Sequence, residues 1–244
     1  MRCKKFPLDI AELILLIIAA FASAAFALRP LVFRAEKTQE IERENQQFYM
    51  NAADIKESAA EAENAAFQQL FLDMEEYNER LFEKRQEALC SREATEEPAF
   101  CMEQYGLPDK VFGVIRIPAM EVEMPIYLGA NEENMANGAA VLSQTSIPVG
   151  GENTNAVIAG HRGYSGYKYF MDIEALQEGD KVYITNLWEE LVYKVTEIQI
   201  VYPDDVDAVL IQPGRDMITL MTCHPYASGG KYRYLVYCDR CPDN

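Results

Sequence analysis

The stretch Ile218-Thr219-Leu220-Met221-Thr222-Cys223, followed by His224-Pro225-Tyr226, decides the fold of this chain. Its short run of β-branched and apolar residues predicts a buried strand. Turn-forming residues bound the strand, with Pro213-Gly214 upstream and Gly229-Gly230 downstream. A cysteine therefore stands where a strand gives way to a loop. The backbone behind it is rigid, and its side chain can face a cleft.

Two more reactive or charged side chains stand at or near predicted strand ends. Residues 155–160 form another buried apolar run, which is followed directly by His161-Arg162-Gly163. Arg233 comes ten residues after Cys223, in a second apolar, tyrosine-rich run. A cysteine and a histidine alone are weak evidence for a catalytic pair, because free cysteine is often a small buried hydrophobe. The order of histidine, cysteine-ended strand and arginine is more specific.

This order resembles the sortase transpeptidases, whose signature is a TLxTC strand preceded by a histidine and followed by an arginine. Further segments resemble class C, the pilin-polymerising branch, and the resemblance covers about residues 111 to 240. The segments are Ile115-Arg116-Ile117-Pro118, Met124-Pro125-Ile126-Tyr127-Leu128-Gly129, Thr145-Ser146-Ile147-Pro148-Val149-Gly150-Gly151, Gly160-His161-Arg162-Gly163 and Thr219-Leu220-Met221-Thr222-Cys223-His224-Pro225-Tyr226.

Short apolar runs alternate with turn formers from residue 111 onward, which predicts a closed β-barrel. The fold class predicted is mainly β: a closed eight-stranded sortase-type β-barrel, preceded by an N-terminal membrane helix and a two-helix segment. We predict strands at 111–117, 121–127, 139–143, 155–160, 181–186, 191–201, 217–222 and 231–238, and one or two helical turns at 170–176. The long polar loop 202–216 shapes substrate recognition, by resemblance.

The N-terminal region predicts a membrane segment. Residues 13–28 are uncharged and are ended by Arg29-Pro30; they span about 24 Å as a helix, and neighbouring apolar residues extend them toward the ~30 Å of a bilayer core. Basic residues precede the run, so we expect a cytoplasmic tail (1–12), a signal-anchor (13–33) and an extracellular catalytic domain in a single-pass membrane protein. The alternative is a cleaved signal peptide, because Ala22-Ser23-Ala24 and Ala25-Phe26-Ala27 fit a cleavage site.

Residues 34–95 predict a helical extension, because good helix formers run without proline or glycine. Two sets of apolar residues at helical spacing divide it into two helices near residues 59–66. Residues 96–110 are a linker or a lid, and the barrel domain takes 111–244. In class C sortases an Asp-Pro-aromatic tripeptide plugs the active site. Glu97, Pro98 and Phe100 are the nearest match, with Glu in place of Asp and Ala99 inserted before the aromatic residue.

Charge and cysteine content limit the partners. The formal net charge of −17 argues against a nucleic-acid partner. Besides Cys3 and Cys223, four cysteines remain and allow three pairings, and a Cys90–Cys101 bridge would close a short loop. Cys238 and Cys241 form a CxxC pair, but a zinc site needs two more ligands at suitable spacing. We therefore expect no metal and no cofactor.

The three candidate catalytic residues have different tasks. Cys223 attacks a carbonyl as its thiolate, and His161 is the proton donor and acceptor because imidazole titrates near neutrality. Arg233 holds the substrate backbone and stabilises the oxyanion with its fixed fork of donors. Arg240 is the rival arginine, and Arg162 is interpreted as a scaffold residue. Thr222, His224 and Tyr226 are the candidate substrate-binding residues, although the hydroxyl of Thr222 also suits a structural role.

The resemblance implies transpeptidation. Cys223 would cleave an LPxTG-like sorting signal between Thr and Gly through a thioacyl intermediate, and an amine would resolve it. The amine is a pilin lysine in class C and belongs to the cell-wall precursor in sortases that anchor single proteins. Most class C enzymes carry a second, C-terminal membrane helix that this sequence does not show, which weakens the pilus assignment. The 62 residues from His161 to Cys223 leave no obvious room for the helical insertion of class B.

Two further alternatives come from other functional classes. A non-catalytic barrel could bind sorting signals or scaffold an assembly. A hydrolytic cysteine protease would cleave equally well without an added amine.

Overall fold

A computed structural model describes residues 9–61, 65–89, 95–107, 110–164 and 166–242, without the side chains of 58–61 and 65. Helices α1 (Ile10–Glu61) and α2 (Ala65–Glu83) precede the barrel, and a short helix α3 (Glu132–Asn137) lies within it. The strands are β1 (Val111–Ile117), β2 (Val122–Leu128), β3 (Ala139–Val141), β4 (Thr154–Ala159), β5 (Arg162–Tyr164), β6 (Tyr167–Tyr169), β7 (Lys181–Asn186), β8 (Glu190–Val201), β9 (Asp216–His224) and β10 (Tyr232–Arg240).

Eight of these strands close a barrel in the order β1-β2-β3-β4-β9-β10-β8-β7. The predicted eight-stranded barrel is therefore confirmed, and its strands lie within a few residues of their predicted ranges. Alternate side chains point into it, and the interior is filled by apolar residues of every barrel strand. A second apolar cluster lies on the outer face of β4, β9 and β10, under the loop between β8 and β9; it contains Val157, Met217, Leu235 and Val209.

Two strand pairings set the position of the candidate site. β4 and β9 are parallel and adjacent although far apart in sequence, so their carboxyl ends meet at one end of the barrel. β9 and β10 are antiparallel, so β10 starts at that same end. We call this the Cys223 end. The opposite end holds the start of β4 and the loop that carries Trp188.

The sequence did not predict that α1 is continuous. The helix passes through Pro30, where we expected the apolar segment to end, and joins the predicted anchor to the first helix of the extension. Proline within a helix removes one hydrogen bond, but the helix continues beyond it for another 31 residues to Glu61. Its second half packs on the barrel through the buried side chains of Ile41, Phe48 and Ala52.

Helix α2 packs at the opposite end of the barrel. The side-chain amide of Asn78 donates to the carbonyl of Ile147 at 3.0 Å and accepts from its backbone N–H at 2.8 Å. Phe67 stacks on Trp188 with ring centroids 5.1 Å apart. The helix ends at Glu83, so the prediction of helix to residue 95 was wrong. Residues 84–89 form turns with a positive φ at Arg85 and Gln86, and residues 90–94 lie outside the described ranges.

The sequence also missed the two-stranded hairpin β5–β6 and helix α3. The hairpin is only three residues long on each side, which is too short to show an alternating pattern. Helix α3 begins with an Asn131 cap, whose side chain accepts from the N–H of Asn134. The expected helical turns at 170–176 are present as the 3-10 helix Ile173–Ala175.

Candidate active site

Two parallel strands bring Cys223 and His161 together at their carboxyl ends. Ala159 of β4 is level with Met221 of β9, and the N–H of Gly160 extends this ladder by donating to the carbonyl of Met221 at 3.0 Å. His161 and Cys223 each lie two residues beyond that matched pair. Because side chains alternate with a period of two, both project from the outer face of the sheet. Cys223 is exposed to solvent.

Arg233 lies directly opposite Cys223 in the antiparallel pair of β9 and β10. Opposed residues of antiparallel strands present their side chains on the same face. One guanidinium nitrogen of Arg233, Nη1, donates to the carbonyl of Gly230 at 2.9 Å. Gly230 has φ +80°, and a Cβ placed on it would lie 3.0 Å from Arg233 Nη1 and 3.3 Å from Cys223 Sγ. The turn after β9 thus closes tightly over both side chains, which would have to shift by a few tenths of an ångström to admit a Cβ at position 230.

Aromatic rings surround His161. Tyr164 of β5 stacks on the imidazole with centroids 4.4 Å apart and planes at 26°, and Tyr169 approaches with its edge at 6.1 Å. Burial lowers the pKa of His161 below its ordinary value, because an imidazolium loses hydration there. The imidazole is therefore mainly neutral at neutral pH and can accept a proton from a nearby thiol. Tyr164 was not identified from the sequence, because its hairpin was not predicted.

Thr222 is a structural residue at this site. Its side chain is 3% exposed and its hydroxyl donates to the carbonyl of Gly160 at 2.7 Å. This hydrogen bond therefore holds Gly160, which precedes His161, against Thr222, which precedes Cys223. This position does not present Thr222 to a substrate in the cleft, in contrast to its assignment as a binding residue from sequence.

His224 lies in a polar cluster with Arg162 and Glu174. Arg162 Nη1 lies 2.7 Å from Nδ1 of His224, and Nη2 lies 2.6 Å from a carboxylate oxygen of Glu174. His224 Nδ1 is also 3.1 Å from that oxygen. The contact with Arg162 requires Nδ1 to be an acceptor, so Arg162 is the donor to both groups. The hydrogen bond from Arg162 lowers the pKa of the Glu174 carboxyl below its ordinary value.

This cluster links three elements behind the candidate nucleophile. Arg162 stands in β5, Glu174 in the 3-10 helix and His224 at the end of β9. The arrangement agrees with the interpretation of Arg162 as a scaffold residue. The sequence did not indicate Glu174, which is far from both partners along the chain. Tyr226, by contrast, is 60% exposed and is available to a ligand.

The candidate lid residues are located far from Cys223. The carbonyl of Glu97 accepts from the hydroxyl of Ser143, and the ring of Phe100 meets Tyr77 of α2 edge-on at 5.5 Å. Ser143 follows β3 and lies near the start of β4, whereas His161 follows the end of β4. Five strand residues separate these levels, or roughly 17 Å. Glu97, Pro98 and Phe100 thus dock at the opposite end of the barrel.

The remaining sequence candidates lie outside the cleft. Arg240 pairs with Glu189 at 3.6 Å near the opposite end, so it does not compete with Arg233. Cys238 is fully buried, and burial raises the pKa of its thiol, which opposes a redox role for the CxxC pair. Cys101, Cys223, Cys238 and Cys241 are all free thiols, and Cys90 is outside the described residues. Within the described ranges no cluster of three potential metal ligands occurs.

Comparison with known sequences gives the family of this site. Residues 115–241, just over half of the chain, match the model of the sortase domain. The chain belongs to the sortase family. Sortases are cysteine transpeptidases. A similar curated protein is Sortase A of Bacillus anthracis, which is 35% identical over 127 residues, or 52% of this chain and 58% of that protein. The chain spans about half the length of the curated relatives it matches.

Solved structures similar to this sortase are mostly of class C. Sortase C of Clostridium perfringens with the C-terminal cell wall sorting motif has a TM-score of 0.64 and 32% identity, and the match covers 80% of this chain and all of that one. A crystal structure of Streptococcus agalactiae sortase C1 has a TM-score of 0.68 and 29% identity, with coverage of 78% and 96%. This sortase is most like class C.

Proposed function

We propose that this sortase is a membrane-anchored cysteine transpeptidase that cleaves an LPxTG-like sorting signal and transfers it to a pilin lysine. One observation carries the proposal: Cys223 and His161 stand at neighbouring strand ends, and Arg233 lies directly across from Cys223. A thiol, an imidazole and a guanidinium on one face are the groups that acyl transfer through a thioester requires.

The first half-reaction forms the thioester. The neutral imidazole of His161 takes the thiol proton as Cys223 Sγ attacks the threonine carbonyl of the signal. The guanidinium of Arg233 stabilises the resulting oxyanion, together with the backbone N–H of His224. The imidazolium then returns the proton to the departing glycine amine as the C–N bond breaks. The products are an acyl-enzyme on Cys223 and a peptide with a free amino terminus.

The second half-reaction reverses these roles. A neutral acceptor amine attacks the thioester, and His161 removes a proton from that amine as the new amide forms. The C–S bond breaks and the thiolate of Cys223 leaves. Water in place of the amine would make the reaction a hydrolysis, which is the protease alternative.

Two acceptor amines are candidates. The similarity to sortase C structures supports a pilin lysine. A second candidate is the amine of the cell-wall precursor, because the curated sequence relatives include several proteins named Sortase A. The two functions share the thioester and differ only in the amine that resolves it.

The membrane anchor is assigned from α1. Residues 9–36 are exposed, and the helix is long and apolar enough to cross a membrane. We propose residues 1–12 as a cytoplasmic tail, 13–33 as the anchor and 34–95 as an extension whose second helix ends at Glu83. Residues 111–244 form the catalytic barrel on the extracellular side, and 96–110 link the two parts. Residues 1–8 lie outside the described ranges.

Competing amines test this function. The full chain in detergent would receive an LPxTG peptide together with a lysine-bearing pilin or a pentaglycine or diaminopimelate wall amine, and products would be identified by mass spectrometry. We expect a peptide–lysine amide at a rate well above hydrolysis. A product with the wall amine alone would favour protein anchoring. Cleavage at the same rate and with the same products, with or without any of these amines, would indicate a protease. Binding of the peptide without cleavage would indicate a non-catalytic barrel.

A further inference from the structure

We propose that the Cys223 end of the barrel rests on the membrane surface, with four exposed apolar side chains in contact with lipid. The inference rests on the proposed anchor in α1 and goes beyond it, because an anchor alone leaves the orientation of the barrel open. We call the four side chains the interfacial patch. They are Phe33, Tyr164, Met171 and Tyr226, with exposed fractions of 48%, 41%, 38% and 60%.

The first step is that α1 meets the barrel where its apolar run ends. A Cβ placed on Gly166, between β5 and β6, would lie 2.9 Å from Arg34 Cγ and 3.3 Å from Phe33 Cδ1. Lys37, one turn further on, is 3.0 Å from the side-chain oxygen of Asn137. The β5–β6 hairpin therefore lies at the level where the helix leaves the bilayer.

The second step is that α1 is not interrupted where it passes the β5–β6 hairpin. α1 continues unbroken from the exposed apolar run to the part that packs on the barrel through Ile41 and Phe48. Asn45 adds a hydrogen bond to the carbonyl of Glu123 at 3.1 Å. Because one helix is both anchor and packing element, the orientation of the barrel relative to the bilayer follows from the helix direction.

The third step is that the patch continues from the anchor to the mouth of the cleft. Phe33 and Tyr164 stand in one groove of about 650 Å³ between α1 and the hairpin, whose helix side also carries Glu36, Lys37, Glu40 and Arg43. Tyr164 stacks on His161. A Cβ on the neighbouring Gly163 would overlap Met171 and lie 3.6 Å from Tyr226 Cε2. The four side chains thus form a path from the end of the membrane segment to the loop after Cys223.

A lipid surface is the occupant that fits this path. Tyrosine and phenylalanine favour the boundary between hydrocarbon and water, and this patch is continuous with the segment proposed to enter the hydrocarbon. The net charge of −17 opposes electrostatic attraction to anionic headgroups. We therefore expect apolar contact that persists at high salt. The opposite end, where Trp188 stacks on Phe67, would face away from the membrane.

The single tryptophan makes the orientation measurable. Trp188 reports on the opposite end in the unmodified chain. Tyr226→Trp in a Trp188→Phe background moves the fluorophore to the patch. The full chain of each variant would be reconstituted in phosphatidylcholine–phosphatidylglycerol vesicles, some of whose phosphatidylcholine carries bromine near the top of the acyl chains. If Trp188→Phe does not fold, Tyr226→Trp is measured with Trp188 present, and the emission of the unmodified chain is subtracted.

The expected result is that bromolipid quenches the tryptophan at position 226 by roughly half, as for an interfacial residue, at low and at high salt. Trp188 emission should stay unchanged. If the chains float with the vesicles but quenching is equal and weak at positions 188 and 226, the proposed orientation is wrong. The proposed anchor would still stand. An unquenched position 226 that responds only to an LPxTG peptide would assign the patch to substrate instead. Chains that do not float would overturn the anchor and this inference together, whereas the thioester chemistry is measured separately in detergent.

Discussion

Cys223 and Arg233 are cross-strand partners in the antiparallel pair of β9 and β10. Their side chains lie on one face of the sheet, and the Gly230 turn closes over both. The register of two strands therefore sets the distance between the candidate nucleophile and the candidate oxyanion donor. Moving either side chain along the sheet relative to the other would require a change in the register of β9 and β10.

Arg233→Ala should lower kcat/KM by about 10²–10³, as expected for the loss of an oxyanion donor. Because Arg233 is partly exposed, the free energy of unfolding should change little. The measurement is the rate of LPxTG peptide cleavage together with thermal unfolding. Arg240→Ala is the matched control, since its guanidinium pairs with Glu189 at the opposite end. Equal losses of activity in the two variants would contradict the role of Arg233.

Gly230→Ala should disable the site by steric contact. The new methyl group would lie 3.0 Å from Arg233 Nη1 and 3.3 Å from Cys223 Sγ, at φ +80°. Gly229→Ala is the control, because φ there is +69° but nothing lies within 4 Å of the added Cβ. Both changes should cost about 1 kcal/mol of stability from backbone strain. Only Gly230→Ala should lower the peptide cleavage rate substantially; similar activity in both variants would show that the turn does not position these side chains.

Tyr164→Ala should raise the pKa of His161 toward its ordinary value, because removal of the stacked ring rehydrates the imidazole. NMR titration measures this directly, since the chain has two histidines and His224→Asn identifies the second signal. Tyr164→Phe keeps the ring and should leave the pKa unchanged.

The same shift has consequences for pH dependence. A folded-state pKa below the unfolded value means that the folded protein loses stability as pH falls below about 6.5. Tyr164→Ala should reduce that loss and move the acid limb of the pH–rate profile to higher pH. An unchanged His161 titration in this variant would contradict the account of its burial.

Thr222→Val should destabilise the barrel by about 1–3 kcal/mol, because the buried carbonyl of Gly160 loses its partner. Urea unfolding measures the change, and Thr222→Ser should restore most of it. The substitution should also lower the cleavage rate by displacing His161 while KM changes little. A large rise in KM with unchanged stability would instead support direct contact between Thr222 and the substrate.

The sequence predicted the barrel well because each strand carries its own apolar pattern and its own turn residues. The position of Cys223 at a strand end was visible from the run that begins at Ile218. The order of His161, Cys223 and Arg233 was enough to suggest the site. What brings the three together is strand pairing: β4 beside β9 and β9 beside β10.

The features that sequence missed depend on contacts between distant segments. Tyr164 meets His161 because of a hairpin too short to leave a pattern, and Glu174 meets Arg162 through a single turn of 3-10 helix. The continuity of α1 through Pro30 runs against the local preference of proline. The candidate lid follows a local motif, and its docking beside Ser143 depends on tertiary hydrogen bonds that no short motif encodes.

Intact-mass spectrometry of the full chain after incubation with an LPxTG-type peptide tests the central claim most directly. The wild type should gain the mass of the peptide up to and including its threonine acyl group, and hydroxylamine should remove that mass. Cys223→Ala should gain nothing, while Cys241→Ala should behave as the wild type. An adduct that persists in Cys223→Ala, or cleavage of the peptide by that variant, would contradict the assignment of Cys223 as the nucleophile.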